Sequence, residues 1–405
     1  MFRIFAASTL ATALLTGAAI GQDAPEPVDL LSFAQGVLPV SVSTGGQDLR
    51  TDLNHALAAI DGNPVRYGAT PRPGDATTTV AMVLALPALT VFDRFAVPDV
   101  LETPSPSQTF FQTVTVLGSA TGPDGPFTPL ASATLTAHDG RGQVTELTLT
   151  PDQPPVQWVI LRLEGGLDIQ TDATFFEFSE IIGNGQQEAV APSARFTGVW
   201  DGRGVDIELA QDGVTVTGCY DDTGLLTGTV DGTALRALGA NDAGIPSQFV
   251  LIVDPAGDLR GVRSTNGAPF RVYDGAPSTG GPDCAEPAEP TGLGCGDTVY
   301  GIGFDFDSDV IRPGSAPVLD DLFAGLAGDP ATEIRIIGHS SSEGAADYNR
   351  DLSQRRAASV VAALVARGLD AGRMTALGRG EDDPIASNDD EAGRSLNRRV
   401  EISCG

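Results

Sequence analysis

The stretch NRDLSQRRAASVVAAL, residues 349–364, decides the fold of the C-terminal part of the chain. Its apolar residues recur at the spacing of one helix face: Leu352, Val360, Val361 and Leu364. Such a stripe predicts an amphipathic helix that buries one side. We predict a helix over residues 345–367, ended by Gly368, because glycine readily adopts the left-handed conformation of a helix C-cap.

Strand patterns alternate with helix patterns on both sides of this stretch. The predicted strands cover residues 299–306, 333–338, 373–377 and 398–403. A first helix is predicted at 313–326, because Pro313 suits the first turn of a helix and apolar residues follow at helical spacing. The order βαβαββ predicts one mixed sheet with helices on one face, which makes residues 296–405 an α+β domain.

The residues from Asn349 to Leu364 match the pattern N-x-x-L-S-x-x-R-A-x-x-V-x-x-x-L. Around them stand Phe304-Asp305-Phe306-Asp307, Gly338-His339 and Gly393-Arg394-x-x-Asn397. Together these motifs resemble the OmpA-like peptidoglycan-binding domain over residues 296–405. The resemblance implies a non-catalytic cell-envelope protein that binds peptidoglycan non-covalently and links the outer-membrane side of the envelope to the cell wall.

The implied ligand is the diaminopimelate of a peptidoglycan stem peptide, whose free end carries a carboxylate and an ammonium. Arg356 would grip the carboxylate bidentately, which lysine cannot do. The family places an aspartate, which takes the ammonium, in a Gly-His-Thr-Asp loop, and Ser341 stands at that position here. Losing a charge-assisted hydrogen bond costs about 1.5–3 kcal/mol. Glu343 and Asp347 are the candidates to compensate.

The resemblance carries over a set of predicted peptidoglycan-binding residues: Ser340, Ser341, Asn349, Leu352, Arg356, Arg394 and Arg398. The alternative for each of them is maintenance of the fold. Leu352 belongs to the apolar stripe in either case, and Arg356 could instead form a structural salt bridge.

Residues 28–185 alternate short β patterns, such as 79–86 and 89–96, with proline and glycine, which predicts a β-sandwich. The motifs Ala59-Ile60-Asp61-Gly62-Asn63 and Gly122-Pro123-Asp124-Gly125-Pro126-Phe127 resemble the discoidin family of galactose-binding-like jelly rolls. That resemblance implies a domain for a carbohydrate or another surface ligand. A spacer without a ligand is the alternative.

Residues 195–275 contain short strand patterns separated by Asp212-Gly213, Asp231-Gly232 and Asn266-Gly267. These dipeptides supply the positive φ angles of two-residue hairpins, so we predict an antiparallel β-meander closed, or nearly closed, into a small barrel. Residues 276–295 are rich in proline and glycine and predict an extended linker.

Residues 1–21 have the basic start, apolar stretch and small residues of a signal peptide; a membrane anchor is the alternative. We therefore expect an exported protein, and the OmpA-like resemblance implies that it is periplasmic and associated with the outer membrane and peptidoglycan. An even number of cysteines in such a chain favours disulfides, although three pairings are open. We favour Cys295–Cys404, which brackets one domain, and by elimination Cys219–Cys284.

The chain has 53 acidic and 24 basic side chains and a net charge of -29, which argues against nucleic-acid binding. Three scattered histidines and the absence of a C-x-x-C pair, a phosphate loop or a nucleophile elbow predict no metal, no cofactor and no enzyme. The alternative to a cell-wall link is an exported glycan-binding module protein. Its discoidin-like domain would be the active part, and its OmpA-like domain would have weakened peptidoglycan affinity. In either case the N-terminal β domains could bind a carbohydrate or an outer-membrane partner.

Overall fold

The computed structural model describes residues 28–45, 53–61, 67–69, 79–98, 109–135, 144–166, 176–202, 204–254, 256–268, 270–282, 292–304, 308–389 and 391–405. The predicted signal peptide, residues 1–21, and Cys284 lie outside these ranges. Within them, no helix is both long enough and apolar enough to cross a membrane.

The N-terminal part is mostly β. Its strands are β1 (Leu38–Gly45), β2 (Tyr67–Ala69), β3 (Thr79–Pro98), β4 (Thr109–Ser119), β5 (Thr128–Thr134), β6 (Val144–Glu146), β7 (Thr148–Leu149), β8 (Val156–Gly166), β9 (Phe176–Phe178) and β10 (Ile182–Gln187), with one short helix, α1 (Leu53–Ala58). Hydrogen bonds join the strands in the order β1-β3-β8-β4-β5-β7, while β6 and β10 also pair with β3, and β9 pairs with β2 and β4. The jelly-roll assignment of residues 28–185 stays a prediction.

Strand β3 is one long strand where the sequence predicts two. Its first half pairs with β1 and β8, and its second half pairs with β6 and β10. The register with β8 jumps from Ala85↔Trp158 to Thr90↔Val156, and Pro87 falls within the jump. A proline lacks an N–H donor and is tolerated at such an irregularity, so the strand continues through it.

The central part is a closed antiparallel barrel of eight strands. These are β11 (Gly198–Gly202), β12 (Val205–Asp212), β13 (Thr215–Tyr220), β14 (Gly224–Asp231), β15 (Ala234–Ala240), β16 (Pro246–Val253), β17 (Leu259–Thr265) and β18 (Arg271–Pro277). Gly213 and Gly232 have φ angles of 57° and 55° in two-residue turns, as predicted. Gly267 also has a positive φ, 69°, but the connection from β17 to β18 is five residues long. Trp200 is buried in the interior, where its Nε1 donates to the Gly257 carbonyl at 2.9 Å.

The predicted linker begins too early. Ala276 and Pro277 pair with Asp201 and Trp200, so these residues close the barrel as the end of β18. Proline is acceptable there because it ends the strand. The middle of the predicted linker, residues 283–291, lies outside the described residues.

The C-terminal part is an α+β domain. A four-stranded sheet has the order β19-β22-β20-β21, in which β20 and β21 are parallel and the other pairs are antiparallel. Its elements are β19 (Thr298–Val299), α2 (Ala316–Gly328), β20 (Ile334–His339), α3 (Ala346–Arg367), β21 (Met374–Gly380), α4 (Glu391–Asn397) and β22 (Val400–Cys404). Helix α3 buries the stripe read from the sequence, with Leu352, Val360 and Leu364 in the core.

Two features of this domain differ from the sequence prediction. The order βαβαββ omits α4, whose seven residues carry too short an apolar pattern to be recognised. The predicted strand 299–306 is shortened to Thr298–Val299, because Gly301 turns the chain with a φ of 82°. Phe304 then pairs with Ile311 in an isolated bridge.

The three parts contact one another directly. Gln248 Nε2 of the barrel donates to the Ile385 carbonyl at 3.1 Å, and Thr215 Oγ1 donates to Asp321 Oδ2 at 3.4 Å. Leu396 of α4 is fully buried in an apolar cluster that also contains N-terminal and barrel residues. The C-terminal domain is therefore packed onto the β parts.

Cys295 and Cys404 form a disulfide, with their Cα atoms 5.6 Å apart, which is the pairing that the sequence favours. It ties the residue before β19 to the end of β22. Cys219 is also disulfide-bonded. Its predicted partner, Cys284, lies outside the described residues.

We expect the double variant Cys295→Ser/Cys404→Ser to lower the free energy of unfolding of the C-terminal domain by about 2–4 kcal/mol, because the bond closes a long loop in the unfolded chain. Denaturant unfolding followed by circular dichroism measures the change. A reducing agent should weaken the C-terminal domain of the wild type more than that of the variant, which keeps only the disulfide of Cys219. Equal stability of variant and oxidised wild type would contradict the expectation.

Candidate functional site

The candidate site lies where β20 and β21 end. Parallel strands bring their carboxyl ends to the same edge of a sheet, so the loops that follow them adjoin. The Ser340 amide donates to the Gly380 carbonyl at 2.9 Å and joins the two loops. Helix α3 begins directly after the first loop, and α4 follows the second.

A buried asparagine holds the first loop in place. Asn349 Nδ2 donates to the Ser341 carbonyl at 3.3 Å and to Glu381 Oε2 at 2.5 Å, which spans both loops. Asn349 and Ser341 are both buried. The predicted ligand residue Asn349 therefore positions the loop.

Glu343 is the centre of a charged network in this loop. Ser341 Oγ donates to Glu343 Oε2 at 2.9 Å. Arg394 Nε lies 3.7 Å from Glu343 Oε1, and Arg398 Nη1 lies 3.5 Å from Glu343 Oε2. The Glu343 side chain is 63% exposed, so a ligand can reach its carboxylate from solvent.

The structure distinguishes the two acids that the sequence offers as substitutes for the family aspartate. Glu343 hydrogen-bonds with Ser341 itself, whereas the Asp347 side chain is fully exposed and lies 3.9 Å from Arg350. Glu343 thus places a negative charge beside the position where the resemblance expects one.

Arg356 lies against the segment before α2. Its Nε donates to the Ser308 carbonyl at 2.9 Å, and its guanidinium carbon lies 4.9 Å from the centre of the Phe304 ring. A cation over an aromatic face is attracted by the ring quadrupole, so these contacts orient the guanidinium. Leu352, one turn earlier, is buried in the helix stripe and acts in packing.

The predicted site residues therefore fall into two groups. Ser341, Asn349, Arg394 and Arg398 are connected through Glu343 and the loop that contains it. Arg356 contacts Phe304 and Ser308. Ser340 is buried, and within the described part of the chain its Oγ has no hydrogen-bond partner.

Sequence reasoning missed the role of Asn397. This fully buried side chain accepts from the amides of Ile385 and Ala386 and donates to Asn388 Oδ1, which in turn accepts from the Ser342 amide. It thereby ties α4 and the second loop to the first loop. Its place in the quoted motif was the signal that could have identified it.

A polar cluster of His339, Arg399 and Glu401 adjoins the site. His339 Nε2 lies 3.5 Å from Glu401 Oε2, and Arg399 Nη2 lies 2.6 Å from Glu401 Oε1. The nearby His339 ring and the Arg399 guanidinium lower the pKa of Glu401 to about 2. The side chains of His339 and Arg399 are almost completely buried, so this cluster is part of the fold.

Comparison with known proteins agrees with this architecture. The OmpA family model matches residues 303–398. Outer membrane porin F of Pseudomonas fluorescens is 46% identical over 102 residues, which are 25% of this chain and 31% of the porin. Outer membrane protein A of Bordetella avium is 36% identical over 146 residues, 34% of this chain and 75% of that protein. Peptidoglycan-associated lipoprotein of Pasteurella multocida is 37% identical over 106 residues, 26% of this chain and 69% of that protein.

The chain belongs to the OmpA family, with the family domain at residues 303–398. Its domain is homologous to those of outer-membrane and peptidoglycan-associated envelope proteins. The chain spans less than a third of the length of the porin F that it matches.

We expect the stability that Glu401 contributes to depend on pH. Its pKa is lowered in the folded state, so its contribution is complete above the ordinary value of 4.5 and is lost as the pH falls through about 2. The difference in unfolding free energy between wild type and Glu401→Gln should shrink across this range. Denaturant titrations at a series of pH values measure it.

The matched control is Glu333→Gln, which changes an exposed carboxylate that pairs with Arg335. Its difference from wild type should be small throughout. A Glu401→Gln difference that stays constant down to the lowest pH would contradict the assignment.

Proposed function

We propose that the C-terminal domain binds peptidoglycan non-covalently through the diaminopimelate of the stem peptide. One observation carries the proposal: the Glu343 carboxylate accepts from Ser341 Oγ and lies between Arg394 and Arg398, beside the loop position where the family resemblance expects an acid. A carboxylate beside guanidinium groups is complementary to a ligand end that carries one ammonium and one carboxylate.

The ammonium of the ligand would be held by Glu343. Its carboxylate is exposed, so binding does not require a buried charge to be uncovered. The arginines on either side hold it in the loop, and an ammonium would share its oxygens with them.

The carboxylate of the ligand would be held by Arg356. Phe304 and the Ser308 carbonyl hold its guanidinium in one orientation before any ligand arrives. Preorganisation lowers the entropy lost on binding, because the long side chain is already ordered.

In the envelope, this binding would link the outer-membrane side to the cell wall. The relatives that carry the domain are named as outer-membrane proteins and a peptidoglycan-associated lipoprotein, which supports that setting. The β parts, packed onto the domain, would then be held at a set distance from the wall.

We expect Arg356→Ala in the full chain to weaken cosedimentation with purified sacculi by about ten- to a hundredfold, because a charge-assisted bidentate contact is lost. The control is Arg335→Ala, which removes an exposed arginine near the opposite end of β20. It should bind as the wild type does, and free diaminopimelate should compete with the sacculi.

The exchange of the acid between positions 341 and 343 tests the role of Glu343. Glu343→Gln should weaken sacculus binding by about tenfold, and Ser341→Asp/Glu343→Gln should restore it, because the negative charge returns to the neighbouring position. Ser341→Asp alone adds a second carboxylate beside Glu343 and should not strengthen sacculus binding beyond that of the wild type.

If neither the wild type nor the double variant cosediments, and Arg356→Ala changes nothing, the cell-wall proposal fails. The alternative, a glycan-binding module protein that acts through residues 28–185, would then be tested on a glycan array with the full chain.

A further inference from the structure

One face of the barrel strand β16 reaches the candidate peptidoglycan site. The Phe249 ring lies in the barrel interior, so its neighbours Gln248 and Val250 point outward, because side chains alternate along a strand. Ile252 lies on the same outward face. These three outward residues are at most 5% exposed, so another part of the chain covers this side of the barrel.

The cover includes the loop after β21 and helix α4. Val250 and Ile252 share a buried apolar cluster with α4. Ala392 and Leu396 are the α4 members of the cluster, and Ile385 of the loop packs against it. The helix and the loop that adjoin the site therefore rest on the barrel as well as on their own domain.

A hydrogen bond adds a directional contact to this apolar one. Gln248 Nε2 donates to the Ile385 carbonyl at 3.1 Å, and the Ile385 amide donates to Asn397 Oδ1 at 2.8 Å. Ile385 is thus held at both of its backbone polar groups, by the barrel on one side and by the last residue of α4 on the other. Because Gln248 is buried, its bond is shielded from competing water.

The same connection continues to the charged network of the site. Asn397 Nδ2 donates to Asn388 Oδ1 at 3.0 Å, and this oxygen also accepts from the Ser342 amide at 3.2 Å. Arg394 Nη1 donates to the Asn388 carbonyl at 3.3 Å. Ser342 directly precedes Glu343, so Asn388 connects the loop after β21 with both the acid and one arginine of the network.

We propose that Gln248 is a positioning residue for peptidoglycan binding, a role that rests on the function proposed above. It holds the loop after β21 through Ile385, and that loop in turn holds Glu343 and Arg394 in the geometry that the ligand meets. A site whose side chains are already ordered loses less entropy on binding, so loosening this anchor weakens affinity from a distance. The barrel is then part of the binding device.

Gln248→Met in the full chain removes the donor and keeps the length of the side chain. It should weaken cosedimentation with purified sacculi by about three- to tenfold, because the Ile385 carbonyl loses this donor. Gln248→Glu, whose carboxylate cannot donate, should weaken binding at least as much. The matched control is Gln187→Met, which removes a glutamine hydrogen bond to Thr90 in the N-terminal part and should leave binding unchanged.

Two further measurements separate positioning from a general loss of stability. Asn388→Ala interrupts the connection between the barrel and the network, so Gln248→Met added to it should weaken binding no further. The Ser342 amide should exchange hydrogen faster in Gln248→Met than in the wild type. The amide of Ile402, which donates to the Asp297 carbonyl elsewhere in the domain, should keep its rate.

The proposal is overturned if Gln248→Met binds sacculi as the wild type does, or if its effect adds in full to that of Asn388→Ala. It is also overturned if the Ser342 amide keeps its wild-type rate or if Ile402 accelerates equally. A wild type that does not bind sacculi overturns the proposed function instead. Faster exchange at Ser342 alone would then still support the anchoring of the loop by Gln248, and unchanged exchange would overturn it.

Discussion

The close contact of α3 with β20 and β21 is the constraint on which the candidate peptidoglycan site depends. A Cβ at Gly338 would lie 2.5 Å from the Ser353 carbonyl oxygen, and one at Gly378 would meet the backbone of Gln354. Only glycine permits this approach at both strands. Ser353 Oγ and Gln354 then bond to the amides of Gly380 and Gly378, which fixes the helix relative to the strand ends. This contact therefore determines the positions of the loops that follow both strands.

The electrostatics of the site follow from that placement. In an extended chain, residues 341 and 343 would lie on the same face but about 6–7 Å apart, too far for their side chains to hydrogen-bond easily. The turn that leads into α3 instead brings the Glu343 carboxylate to the Ser341 hydroxyl. Arg394 and Arg398 reach the same carboxylate from α4 and the residue just after it, one turn apart on the same helical path.

The β parts show how far local sequence signals reach. Asp-Gly and Asn-Gly dipeptides predict hairpins because the conformation they need is set within two residues, and the barrel has them where expected. The continuation of β3 through Pro87 was not predictable, because it depends on β6 and β10, which are distant in sequence. The proximity of Asp206 and Asp221 at one end of the barrel was likewise not predictable from the sequence, since the two residues belong to different hairpins.

The sequence by itself determined the α+β domain, its long helix, the core stripe of Leu352, Val360 and Leu364, and the family. These features follow from hydrophobic periodicities and a spaced motif, which are local properties of the sequence. Only the tertiary structure decided that Glu343 and not Asp347 accompanies Ser341, that Asn397 ties the loops together, and that Arg356 lies against Phe304. Each of these depends on which side chains meet after the parallel strands bring their ends together, and distances of a few ångströms between remote residues have no signature in a single sequence.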